Sequence, residues 1–295
     1  MESRINIKQW IEENKSDFKP PVGNKMMYNE QLIIMFVGGP NVRDDYHINE
    51  GEEFFYMVKG DMCLKIVEKG VFKDIHIKEG EIFLLPGRTP HSPQRQVDTV
   101  GLVIERKRAS TEMDVLRYYI EPGKSTEVLY EKSFHSLNLG KELPPIINAY
   151  FASEEYKTRK PTESSVLDQL PFELNDVAVG KVTKLIDHFV SNGHNHANVN
   201  NEQRFSENSV HLFPGQNQFD IRLHSKGVHT FVTGNLDTWI WAVQGSSNIT
   251  VKGQEKKNFL DPHDSILIRP NSSVTLDCES DDAKVIEFSQ PTKND

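Results

Sequence analysis

Short apolar runs cut by glycine and proline dominate the first third of the chain. LIIMFV (32–37) stops at Gly38-Gly39-Pro40, EFFYMVKG (53–60) at Gly60-Asp61, and EIFLLPG (81–87) at Pro86-Gly87. MCLKIVEKG (62–70) and DIHIKEG (74–80) alternate apolar with polar residues and stop at Gly70 and Gly80, and TVGLVIER (99–106) follows. Alternation with a period of two marks strands with one buried face, and regular turn punctuation marks an antiparallel sandwich or barrel. Ahead of these runs, Ile7, Trp10 and Ile11 have the spacing of a short amphipathic helix, with Pro20-Pro21 as its stop.

The rest of the chain is less uniform. RYYI (117–120) and STEVLYEKSF (125–134) read as strands, and residues 143–156 as helix. The polar segment that follows contains Pro161 and Pro171 and reads as a linker. VTKLIDHFVSN (182–192) has helical spacing, and NGHNHANVNNEQ (192–203) is an Asn-rich loop whose His194 and His196 read as solvated. Strand signals return over 209–289, including TWIWAVQGSSNITVKG (238–253). The domain reading is 1–160, a linker over 161–177, and 178–295.

The length of 295 residues suits two domains, each able to bury a core. The net charge of -9 argues against a nucleic-acid binder and against an anionic membrane surface as partner. The two cysteines, Cys63 and Cys278, form no CxxC pair and suit a reducing compartment. A polar N-terminus and the lack of any membrane-length apolar run make the cytosol the expected location.

One constellation changes this bland picture. Gly39, Asp45, His47, Glu53 and Gly60 are followed, after a spacer, by Gly80, Pro86 and His91. This spacing resembles the two-motif signature of the cupin superfamily, with Asp45 where the first motif commonly has a histidine. The matching positions leave His47, Glu53 and His91 as metal ligands. Two imidazoles and a carboxylate leave part of a coordination sphere open, which suits non-haem Fe(II) chemistry better than a closed structural zinc site. Glu53 shares a strand face with Phe55 and Met57, and a carboxylate on an apolar face needs a charge partner. Asp45 reads as a group that orients His47 rather than as a ligand. Arg95 lies four residues after His91 and Glu105 ten after Arg95, both even offsets that allow one interior face. A guanidinium there suits a carboxylate. On the residues alone, a ring-cleaving oxygenase, another metal-cupin enzyme such as an isomerase, and a storage cupin all remain open.

Three longer segments narrow this. PPVGNKMMYNEQLIIMFVGGPNVRDDYHINEGEEFFYMVKGDM, GEIFLLPGRTPHSPQR and TVGLVIERKR resemble the 3-hydroxyanthranilate 3,4-dioxygenase family over most of residues 1–160. The resemblance implies a mainly β chain of two cupin (double-stranded β-helix, or jelly-roll) barrels with a few helices. It implies an Fe(II)-dependent extradiol oxidoreductase of the kynurenine pathway. With O2 such an enzyme cleaves 3-hydroxyanthranilate to 2-amino-3-carboxymuconate semialdehyde, which closes to quinolinate on the way to NAD. It further implies iron on His47, Glu53 and His91, substrate contacts from Arg95, Glu105 and Glu53, Arg43 beside the oxygen site, and Glu53 or Glu105 as proton acceptor. The partners are then a small aromatic amino-carboxylate and O2. In the second half Val232, Thr238 and Thr275 fall, by counting, where His47, Glu53 and His91 stand, which suggests an emptied cupin-like domain and a monomer. The C-terminal cysteine iron site common in bacterial members has no counterpart here.

Overall fold

The computed structural model describes residues 3–18, 23–189, 202–206 (backbone only), 208–214, 218–254 and 257–290. The chain divides into two compact units, residues 15–183, and residues 1–14 with 184–295.

In the unit 15–183 the apolar runs become two antiparallel sheets. One sheet contains, in order, Glu81–Leu85, Glu53–Lys59, Val100–Arg106, Leu32–Gly38 and Asn24–Asn29. The other runs Val128–Phe134, Asp114–Tyr119, Tyr46–Ile48, His91–Arg95, Met62–Glu68 and Val71–Ile77. Successive strands switch sheets at the glycine and proline corners, which is jelly-roll order. The two sheets share a core: Ile33, Met35, Phe55, Met57, Phe83 and Val103 from the first meet Met62, Leu64, Ile66 and Ile77 from the second. No ladder joins the sheets among the described residues, so the expected barrel is an open sandwich.

Beyond these sheets the helix Leu139–Ala152 forms, earlier than the pattern predicts, and includes Pro144 and Pro145 in its second turn. Residues of the expected linker are tied to the unit. Glu131 N donates to Ser165 O (2.7 Å) and Asn175 N to Arg88 O (3.0 Å), and Val179 N, two residues past the expected linker, donates to Glu68 Oε1 (2.7 Å).

The second unit has a sheet ordered Ile5–Asn6, Asp264–Ile268, Thr238–Gln244, Lys284–Ser289, Asp220–His224, Ser209–Leu212, Glu202–Ser206. Its other sheet is Gly227–Val232, Ser273–Cys278, Ser247–Val251, Asn258–Leu260. The first fourteen residues belong here and not with the unit 15–183, because Ile5 and Asn6 pair with Ser265 and Asp264. The predicted N-terminal helix forms over Ile7–Asn14 and ends well before Pro20-Pro21, which lie outside the described residues. The helical spacing at 182–192 yields only the 3-10 turn Leu185–His188, which has no side-chain cap. His194 and His196 lie outside the described residues.

The counted correspondence between the halves slips in three dimensions. Val232 pairs with Ser273 and is 68% exposed, while Thr230 stands opposite Thr275 as His47 stands opposite His91. Seven residues separate Thr230 from Thr238 but only five separate His47 from Glu53, one of the extra two in the loop 233–237 and one at the end of the strand before it, so counting along the chain loses register by two. Inside this unit Ser209 Oγ contacts Nδ1 of both His224 (2.8 Å) and His229 (3.0 Å). His224 Nε2 meets Glu287 Oε2 (2.8 Å), and His229 Nε2 donates to Ser225 O (2.8 Å). All four imidazole nitrogens are therefore engaged by protein atoms.

A tight crossing positions the loop that leads into the site. Asn41 N donates to Arg95 O and Arg95 N to Asn41 O, both at 2.9 Å, and Gly39 N donates to Thr99 O (3.0 Å). A Cβ at Gly39 would stand 1.8 Å from Gln96 O, a backbone atom with little freedom to retreat. Gly39→Ala is expected to destabilise the protein by about 1–3 kcal/mol, as forced overpacking does, measured by denaturant unfolding.

Candidate active site

His47 lies in the middle of the short strand Tyr46–Ile48 and is the ladder partner of His91, the first residue of the next strand. Glu53 opens a strand of the facing sheet, on the same side as the core residues Phe55 and Met57. Two imidazoles from one sheet and a carboxylate from the other therefore converge from opposite walls. Their ligand atoms all lie within 4.8 Å of one another, and all three residues are buried.

The donor set fits a cation. His91 donates from Nδ1 to Thr89 O (2.9 Å), which aims Nε2 at the interior, 3.2 Å from Glu53 Oε1. That contact is out of line for a hydrogen bond, and Glu53 Oε1 is buried with no hydrogen-bond partner. A carboxylate oxygen left so is costly unless a cation completes it. Burial pushes the Glu53 carboxyl up and the His91 imidazole down, yet mutual attraction wins in both: Glu53 is held below and His91 above the ordinary value.

A chain of charges leads away from His47. Its Nε2 donates to Asp114 Oδ2 (2.7 Å). Arg108 donates from Nε to Asp114 Oδ1 (2.8 Å) and from Nη1 to Glu105 Oε2 (2.9 Å). Asp114 is thus the acid that orients His47. Asp45, expected in that role, instead grips Arg43 through both carboxylate oxygens. Asp45 lies two residues before His47 on the same short stretch, so its side chain reaches the preceding loop and not the ring. Glu105 is pushed up to about 7 by burial, against the pull of Arg108 and with Glu53 and Asp114 adding to the rise.

Arg95 and Glu105 line the same cavity as the triad, together with Arg43, Asp45, Asn24, Asn41 and an apolar wall of Met35, Phe55, Val103, Leu139 and Leu143. Arg95 and Glu105 do not pair with each other. Arg95 is 2% exposed, its Nε has no hydrogen-bond partner, and among the described residues no acid forms an ion pair with it. Burial pushes its guanidinium down to about 10. Arg43 is tied by its backbone to Gln94, whose Oε1 accepts from Arg43 N (3.1 Å) and whose Nε2 donates to Arg43 O (2.8 Å). The structure therefore brings His47, Glu53, His91, Arg43, Arg95 and Glu105 together around one cavity. Sequence reasoning missed Arg108 and Asp114: RKR looks like a solvated charge run, and Asp114 is 67 residues from His47 with no motif spacing. The only signal for Asp114 is an acid at the start of the apolar strand DVLRYY.

Comparison with known proteins bears on the chain as a whole. A family model described as 3-hydroxyanthranilic acid dioxygenase matches residues 1–151. The 3-hydroxyanthranilate 3,4-dioxygenase of Mus musculus is 44% identical, over 96% of this chain and 98% of its own. The enzyme of that name from Xenopus tropicalis is 48% identical over 91% of each chain, and the Homo sapiens enzyme 42% identical over 92% of this chain and 91% of its own. Among solved structures, oxalate decarboxylase from Bacillus subtilis aligns at a TM-score of 0.47 with 15% identity, covering 90% of this chain and 71% of the other. On the family match and on relatives of this identity and coverage, the chain belongs to the 3-hydroxyanthranilic acid dioxygenase family.

Proposed function

We propose that the chain is an Fe(II)-dependent dioxygenase that opens the ring of 3-hydroxyanthranilate with O2 to 2-amino-3-carboxymuconate semialdehyde, which closes to quinolinate for NAD synthesis. The observation that carries the reading is Arg95: a buried guanidinium with an unsatisfied donor, facing a metal-type triad across one cavity. A storage cupin has no use for such a group. An aromatic carboxylate supplies the missing partner in two-pronged geometry.

Iron held by His47, Glu53 and His91 would supply the redox and Lewis-acid chemistry of ring opening. Arg95 fixes the carboxylate and with it the rotation of the ring. The apolar wall of Met35, Phe55, Val103 and Leu143 excludes water. Glu105 is the better proton acceptor for the substrate hydroxyl, since its carboxyl sits near neutrality while that of Glu53 is held low and belongs to the metal. Arg43, clamped by Asp45 and Gln94, presents a fixed positive edge beside the position proposed for O2. Asp114 holds the His47 ring, and Arg108 holds Asp114 and Glu105 at once. The catalytic domain is the unit 15–183, which contains every one of these residues. Both cysteines are free, in keeping with a cytosolic enzyme, and the reading takes the chain as a monomer. No described helix is long and apolar enough to cross a membrane.

Protein loaded anaerobically with Fe(II) is expected to consume O2 with 3-hydroxyanthranilate and to give a transient yellow absorber; iron-loaded protein without uptake would reject the reading. Arg95→Ala is expected to raise KM for the same substrate at least about thirtyfold, the loss for one partner of a buried charge pair, read from initial rates. Asp114→Asn is expected to weaken metal affinity about 10–100-fold in chelator competition.

A carboxyl whose folded pKa lies above its unfolded value stabilises the fold at low pH, and that contribution is lost as pH rises through the folded value. For metal-free protein, the thermal midpoint of Glu105→Gln relative to the parent should therefore improve as pH is raised from about 5 to about 8.

A further inference from the structure

A second group of metal-type donors stands on the outer face of the hairpin Met62–Glu68 and Val71–Ile77. In that ladder Cys63 is opposite His76, and Lys65 is opposite Asp74. Cys63, Asp74 and His76 therefore share a face, with Met62, Leu64, Ile66 and Ile77 turned the other way into the core. One ligand atom from each of the three lies within 4.8 Å of the others. None of them lines the cavity of the His47 site.

We propose that Cys63, Asp74 and His76 form a surface site for one thiophilic divalent cation of the zinc and cadmium class. The donor set decides the class. A thiol and an imidazole select borderline and soft cations over magnesium, calcium or manganese, and three protein ligands leave a fourth tetrahedral position to water. The frame is already built. A two-stranded ladder fixes the three backbone positions, Cys63 and His76 as a cross-strand pair and Asp74 two residues before His76 on the same strand. The site also attracts positive charge as it stands: Lys65 Nζ lies 3.5 Å from Asp74 Oδ1, and at 43% side-chain exposure it can swing into water and yield its place. Burial and Asp74 push the Cys63 thiol up while Lys65 pulls it down, so the incoming cation displaces both an ammonium and a thiol proton.

Cadmium titration of the enzyme with its His47–Glu53–His91 site already filled by Fe(II) tests this. Cd2+ bound to thiolate gives an ultraviolet charge-transfer band, and the iron triad contains no sulfur, so displacement of iron cannot mimic the signal. The expected result is a band that saturates at one Cd2+ per chain, is suppressed by competing Zn2+, vanishes in Cys63→Ser, and requires about tenfold more Cd2+ or higher in His76→Ala. No band in the parent would overturn the proposal. So would a band that survives Cys63→Ser, which would place the ion on Cys278, or one unaffected by His76→Ala.

Discussion

Three carboxylates, Glu53, Glu105 and Asp114, are buried in the interior of one β-sandwich, where an unpartnered charge costs several kcal/mol. Most of what surrounds them answers that cost. Asp114 receives His47 and Arg108, Glu105 receives Arg108, and Glu53 receives the attraction of His91 and the place of a metal. Arg95 presents the opposite problem, a buried cation without an acid. On the proposed reading, a metal beside Glu53 and a carboxylate substrate beside Arg95 answer both.

The sandwich makes this arrangement possible because its walls hold the two kinds of ligand apart. His47 and His91 are neighbours in one ladder, and Glu53 comes from the facing sheet. The strand His91–Arg95 carries an imidazole at one end and a guanidinium at the other, on the same face and lining one cavity. On the proposed reading, the metal and substrate positions are thus separated by a fixed number of residues in an extended backbone, a spacing that loops would not keep.

Much of this was legible in the chain, and the pattern of misses is physical. Period-two alternation and glycine corners located the strands, and parity along extended segments placed Glu53, His91, Arg95 and Glu105 on interior faces. What failed was information that no single segment contains. Asp114 reaches His47 across a ladder between strands far apart in sequence, and Arg108 sits in a run of bases that looks solvated. Asp45 stands at a motif position that suggested a partner for His47, and its carboxylate instead takes Arg43. Counting from Thr238 back to Val232 failed because the connection there is longer by two residues, one in the loop and one at the strand end. The open edges of the sandwich are likewise a property of the ladder and not of the apolar pattern.

Arg108 donates to two buried acids at once: Asp114, which holds the His47 ring, and Glu105, which lines the same cavity as His47. A guanidinium shared in this way ties the two together, because a change of charge at one acid alters the hold on the other, equally in both directions. The His47 and Glu105 ends of the cavity are thus coupled through a residue that does not itself line it.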